Sequence, residues 1–194
     1  MNQTEIAVTL LSFIYVLALT HVLQCFRDLW IARDRVKPSA SHLIWMVALL
    51  LFAILTWFPA AESESGVALT GWRLGARLLF AMGVYFACAF VSPRVPDRGD
   101  LDMGDYEARN GAGFKLSFIA LVILSLPLNY DGRSHGGAEP IDWAAFASSQ
   151  WFLAVTAFAA GVSLWRREGW VRVTCAVVLL AMTVWGLLGS LGLR

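Results

Sequence analysis

Six long apolar runs, separated by polar breaks, fill most of this 194-residue chain. They lie at about 5–25, 42–60, 69–91, 114–128, 143–165 and 170–190. A helix needs about 20 mostly apolar residues to cross the hydrocarbon of a bilayer. That medium offers no partner to backbone N–H and C=O groups, so a lone spanning segment must satisfy them internally, as a helix. The runs therefore predict an all-α, polytopic transmembrane helix bundle of six spans, with residues 1–194 forming one transmembrane domain. Composition points the same way: 58% of residues are hydrophobic and 15% charged, against roughly 45–50% and 25% in soluble domains. Trp57, Trp72, Trp151, Trp165 and Trp170 stand at ends of the runs, where an indole keeps its ring in lipid and its N–H near water.

Local residues set the expected boundaries. Pro59 closes run two and Ser92-Pro93 closes run three, since proline lacks the N–H that a continuing helix needs. The longest polar stretch is Ser92–Gly113. Within it Leu101–Asn110 reads as a short interfacial helix, capped by Asp100 and stopped by Gly111. Asn129–Pro140 reads as a glycine-rich loop, and Asp142 as the cap of run five. Run four is the shortest. It spans if Lys115 snorkels or if its helix starts before Gly113, and a re-entrant segment is the alternative.

Charge then orients the runs. Of the fifteen Lys and Arg residues, Arg27, Arg33, Arg35, Lys37, Arg94, Arg98, Arg109, Lys115, Arg166, Arg167 and Arg172 fall in or beside alternate connections. Only Arg73, Arg77, Arg133 and Arg194 belong to the other side. Basic loops stay in the cytoplasm, which places both termini outside. The N-terminus Met-Asn-Gln-Thr-Glu has no basic leader or cleavage site, so the first run reads as a retained helix.

Several function classes find no footing. The net charge of +1, without a basic patch interleaved with aromatics, predicts no nucleic-acid partner. Three cysteines without a close pair do not make a disulfide framework. The chain holds no metalloprotease, phosphate-loop, dinucleotide or serine-triad motif, so no catalytic residue and no cofactor is assigned. Runs 1–3 and 4–6 show no inverted repeat of the transporter kind.

The first run carries the most polar face. Thr9, Thr20, His21, Gln24 and Asp28 fall within an arc of about 120°. Polar side chains in spans usually face the bundle interior. Thr20, His21, Gln24 and Asp28, with His42 at the head of run two, therefore make a candidate polar cavity near the cytoplasmic face. Interhelical hydrogen bonding is the competing reading. His21, Cys25 and His42 are weak metal candidates on that side, together with Cys88 and Cys175. No spacing typical of a metal or haem site supports them.

Asp97, Asp100, Asp102, Asp105 and Glu107 interleave with Arg94, Arg98 and Arg109. That pattern reads as a solvated loop or a docking surface for a protein partner over 92–113. Arg73 and Arg77 read as pairing with Glu62 and Glu64, or as snorkelling to the interface. Small residues four apart, such as Gly186 and Ser190, suit close helix packing and leave a homo-oligomer open.

Ile6–Ser12 continuing through Leu17–Leu23, then Ser41–Trp45, then Ser92–Pro96 leading to Asp100–Met103 and Tyr106, resemble a bacterial family of small six-span membrane proteins of uncharacterised role. The resemblance covers about the first two-thirds of the chain. Glu107–Gly113 departs from the family's aromatic and basic pattern at that place. The resemblance implies membrane class and span number, and brings no activity. The functional expectation is a non-enzymatic accessory or sensing component with a polar cavity on the cytoplasmic side. The alternatives are a small transporter or channel using the polar face of run one, and a redox subunit binding haem or metal.

Overall fold

The computed structural model describes residues 3–62, 71–96, 99–136, 146, 150–166 and 168–190. The described chain is almost wholly helical: α1 (Gln3–Ile31), α2 (Ala40–Glu62), α3 (Gly71–Val91), α4 (Met103–Gly136), α5 (Trp151–Trp165) and α6 (Gly169–Ser190). Five of these, all but α5, are long and apolar enough to cross a membrane. The chain is thus a multi-pass helical bundle.

The helices close into a ring. α1 lies beside α2, α2 beside α6, α6 beside α5, α5 beside α4, α4 beside α3, and α3 returns to α1. α2 also touches α3 and α4 across the ring. Its inner face supplies Ser41, His42, Trp45, Met46, Leu49 and Phe52, all buried, at the spacing that keeps side chains on one stripe of a helix. α4 answers with Phe114 and Phe118. Trp45 meets their rings at 5.2 and 5.9 Å, and Phe52 meets Phe118 at 5.1 Å, edge to face. Such pairs contribute about 0.5–1.5 kcal/mol beyond their area. They tie α2 to α4 across the middle of the bundle.

Several boundaries differ from the sequence reading. α1 runs past Cys25 to Ile31, and α2 continues through Pro59 to Glu62. Run four is not the weak member: it is part of a 34-residue helix. Gly111 does not stop that helix. A glycine inside a helix costs only about 1 kcal/mol relative to alanine, and packing against neighbours more than offsets it. The helix starts at Met103 because Asp102 caps it, its Oδ1 accepting from the N–H of Gly104 at 2.8 Å and of Asp105 at 3.1 Å. The expected cap, Asp100, lies outside it. α4 also continues through 129–136, where a glycine-rich loop was expected, and Pro127 inside it leaves one helical carbonyl without its usual donor. The described part of run five is instead the shortest helix, at 15 residues. Asp142, the expected cap of run five, and Glu64 in the loop before run three lie outside the described residues.

The connections at one end are clipped together. Val36 and Lys37, after α1, pair in parallel with Leu101 and Asp102, before α4. Lys37 Nζ lies 3.0 Å from Asp102 Oδ2. Below that strap, Cys25 Sγ donates to the carbonyl of Pro93 at 3.3 Å. The segment after α3 is therefore held against α1 and α4 on this side, and the polar stretch becomes a strap followed by helix.

Candidate functional site: a buried polar cluster

The strapped end of the ring encloses a polar cluster built from four helices. Glu107 and Lys115, eight residues apart on α4, form an ion pair with Nζ 2.9 Å from Oε1. Both side chains are enclosed, at 1% and 4% exposure. Ser41 at the start of α2 donates to the same Glu107 oxygen at 3.2 Å. Lys115 also donates to the carbonyl of Ser163 near the end of α5 at 3.4 Å. Its ammonium lies 5.5 Å from the Phe114 ring and 5.8 Å from the Trp45 ring, close enough for attraction to both π faces.

Gly111 makes this geometry possible. It sits one turn from each charged residue. A Cβ there would stand 3.3 Å from Glu107 Cγ and 3.7 Å from Lys115 Nζ. Its missing side chain leaves the space through which two residues two turns apart can meet along one helix face.

His42 adjoins the pair. Its Nε2 lies 2.8 Å from the carbonyl of Val91 at the end of α3. A carbonyl can only accept, so Nε2 carries the proton and a neutral His42 presents a bare Nδ1. Among the described residues that Nδ1 has no hydrogen-bond partner, and neither do Trp45 Nε1 and Ser163 Oγ, all of them buried. The imidazole is framed by Tyr106 at 5.4 Å and Phe114 at 5.7 Å. Tyr106 is itself fixed by donating to the carbonyl of Phe90 at 3.0 Å.

Of the five residues expected to form a polar cavity, the structure brings only His42 into this cluster. Thr20, His21 and Gln24 are exposed on the outer side of α1, and His21 has the ring of Tyr85 at 6.3 Å. Asp28 is half-buried, paired with Arg27 at 2.8 Å, and lines a shallow recess with Ile31, Arg35 and Pro96. The five residues do not share a cavity. α1 turns its small and apolar stripe inward instead: Leu11, Tyr15, Ala18, Val22 and Cys25 are its buried residues there.

The cysteines are likewise dispersed. Cys25 and Cys88 belong to the main core, whereas Cys175 packs with Ala159 and Val171 in a separate patch. Among the described residues no group of three or more His, Cys, Asp and Glu side chains is placed to hold a metal ion. Arg73, read as snorkelling or pairing, is buried.

No family model, curated protein or solved structure matches this chain. The cluster's own geometry therefore carries the functional reading.

The cluster was missed in the sequence because Glu107 stands among alternating acids and arginines, the pattern of a solvated surface. Snorkelling of Lys115 is one of two ways for run four to reach spanning length; the other, a helix that starts before Gly113, is the one the structure takes. A usable cue was present in the spacing. Met103, Glu107, Gly111, Phe114, Phe118 and Leu121 follow steps of four, four, three, four and three. That is the inward stripe of a single helix, and Glu107 occupies one of its core positions.

Proposed function

We propose that this chain is a non-enzymatic accessory or sensing component of a bacterial inner membrane, with six spans and both termini periplasmic. Its working part is the buried cluster of Ser41, His42, Trp45, Glu107, Lys115 and Ser163, which receives a small polar ligand on the cytoplasmic side. What supports the orientation is charge: the clipped connections at this end carry Arg27, Arg33, Arg35, Lys37 and Arg94.

One observation carries the ligand reading. Three buried polar atoms, His42 Nδ1, Trp45 Nε1 and Ser163 Oγ, belong to residues of this cluster and have no hydrogen-bond partner among the described residues. Each such atom costs about 1–3 kcal/mol when left unmade. A cluster kept only to hold helices together would be cheaper fully paired or apolar. An indole donor, a hydroxyl and an imidazole lone pair together offer a small polar molecule both donors and an acceptor. Enclosure of the pair away from bulk water suits detection of an occupant better than turnover. Transport along the α1 polar face, or haem held by His21 and His42, gains no such support. The first face is turned outward, and the second pair has one imidazole outside the bundle and one committed to Val91.

The test uses apolar near-isosteres. Trp45→Phe and Ser163→Ala each delete one of the open groups. If an occupant completes them, both variants lose about 1 kcal/mol of stability each, and mass spectrometry of the protein in mild detergent shows a bound species reduced relative to wild type. Variants as stable as wild type or more so, with no bound species in either, would falsify the reading.

A further inference from the structure

On the outer side of the ring, α3 and α4 part to form a narrow recess of about 470 Å³. It runs from Leu79 to Phe90 along α3, and Ala120, Leu121 and Leu124 of α4 line its other side. The eleven helical steps from Leu79 to Phe90 span about 17 Å, about the length of a lipid's hydrocarbon chain. The recess offers a helix of another protein little to hydrogen-bond. Its one polar lining residue, Ser117, donates its hydroxyl to the Gly113 carbonyl at 2.9 Å. The small residue that lets helix backbones approach is also already in use. A Cβ on Gly83 would stand 2.8 Å from Leu121 Cδ2, so this glycine serves the α3–α4 contact inside the chain.

The recess has one closed and charged end. Phe90 rests on Gly113, whose missing side chain leaves a 3.5 Å approach. One turn earlier on α4, Arg109 and Asn110 are exposed. Among the described residues Arg109 makes no ion pair. A guanidinium free to bind, set one turn beyond the end of an elongated apolar recess, matches a molecule with a phosphate at one end and a chain at the other.

We propose that this recess is a binding site for one anionic phospholipid, with an acyl chain along Leu79–Phe90 and the headgroup phosphate at Arg109. The site is separate from the buried cluster and does not depend on the reading of it. Filling it bridges α3 and α4 on the side away from the core.

Native mass spectrometry of the full chain, released from vesicles of phosphatidylglycerol or of phosphatidylcholine with matched chains, tests this. Wild type is expected to retain one phosphatidylglycerol per chain in preference to phosphatidylcholine. Arg109→Glu is expected to lower that preference about fivefold or more, the scale set by one basic residue at an anionic surface. Ala120→Phe, which fills the slot, is expected to reduce retention of both lipids, and Ala120→Ile to do so less. Both positions are exposed, so circular dichroism of each variant should match wild type. An unchanged preference in Arg109→Glu overturns the headgroup assignment. Retention unaffected by either Ala120 variant overturns the chain assignment. A dimer that Ala120→Phe dissolves, with lipid retention unchanged, shows that a second copy occupies the recess.

Discussion

The polar face of α1 and the polar stripe of α4 both interrupt an apolar helix, but at different depths. On α1, Thr20, His21 and Gln24 face outward. On α4, Glu107 and Lys115 face inward at 3% exposure each. The more strongly polar pair is the one that is buried. The difference lies in partners. Glu107 and Lys115 neutralise each other, and Ser41 and the Ser163 carbonyl satisfy part of what remains. Among the described residues Thr20, His21 and Gln24 make no hydrogen bond or ion pair to another helix, and they stay at the exposed outer side of α1. The two charges of α4 are admitted to the interior because each meets its complement there.

The largest test of that contrast is to remove one half of the pair. Lys115→Met or Glu107→Leu alone leaves a buried charge without its partner and should destabilise by about 3–5 kcal/mol. The double variant should recover most of the loss, because two apolar side chains need no partner. Reversible unfolding in mixed detergent measures all three. Single variants that unfold like wild type would place the pair in water and end the comparison.

A smaller effect is expected at Gly111. Gly111→Val adds bulk where even a Cβ stands 3.3 Å from Glu107 Cγ. Overpacking of this kind costs about 1–3 kcal/mol. The loss should shrink in the background of the apolar double variant if the glycine serves the pair. A loss of equal size in both backgrounds would show that Gly111 serves helix packing alone.

Next comes the strap, which lies outside the spans. The hydrogen bond from Lys37, with help from the N–H groups of Asp105 and Gly104, holds the Asp102 carboxyl below its ordinary 3.8. A depressed acid stabilises the fold above its unfolded value and loses that contribution as pH falls through the lower, folded one. Lys37 is raised above its ordinary 10.5 by the same contact. Its contribution is complete below that value and fades as pH rises through the folded one. Hydrogen exchange of the Val36–Lys37 and Leu101–Asp102 amides should therefore be flat across neutral pH once corrected for intrinsic rates. It should quicken at the acid extreme before the bundle melts. Protection that changes between pH 6 and 8 would assign the strap's stability to other groups.

The smallest effect is expected on α1. Thr20→Leu, His21→Leu and Gln24→Leu change exposed positions and should each stay within about 0.5 kcal/mol of wild type. A loss of 2 kcal/mol or more in any of them would mean that this face is covered by something, and the distinction drawn between α1 and α4 would then fail.

Much of the architecture was legible in advance, for reasons tied to particular segments. α3 and α6 lie within two residues of their expected limits, because lipid demands a minimum apolar length and the charged ends are sharp. α4 was misjudged because its first three turns are written in polar and glycine residues. Outside a bundle, Met103–Gly113 would make a poor helix. Here it is continuous because its inward stripe packs on α2 and α3 and its cap is held by the strap. His42 was legible as a candidate from its place at the head of a span, and it lies in the buried cluster. Its neighbours were not, since Ser41, Trp45 and Ser163 carry nothing in their local sequence that sets them apart from ordinary membrane-helix residues.

The sequence by itself determined that this is a multi-pass helical membrane protein. It also determined how its basic connections alternate with the rest. Both follow from the hydrocarbon's intolerance of unpaired backbone and from the count of charged residues, which are local properties. Only the tertiary structure decided which polar residues face inward. For this cluster that choice depends on the hydroxyl and carbonyls that arrive from other helices: Ser41 from α2, Val91 from α3, Ser163 from α5. No window along one helix contains those partners.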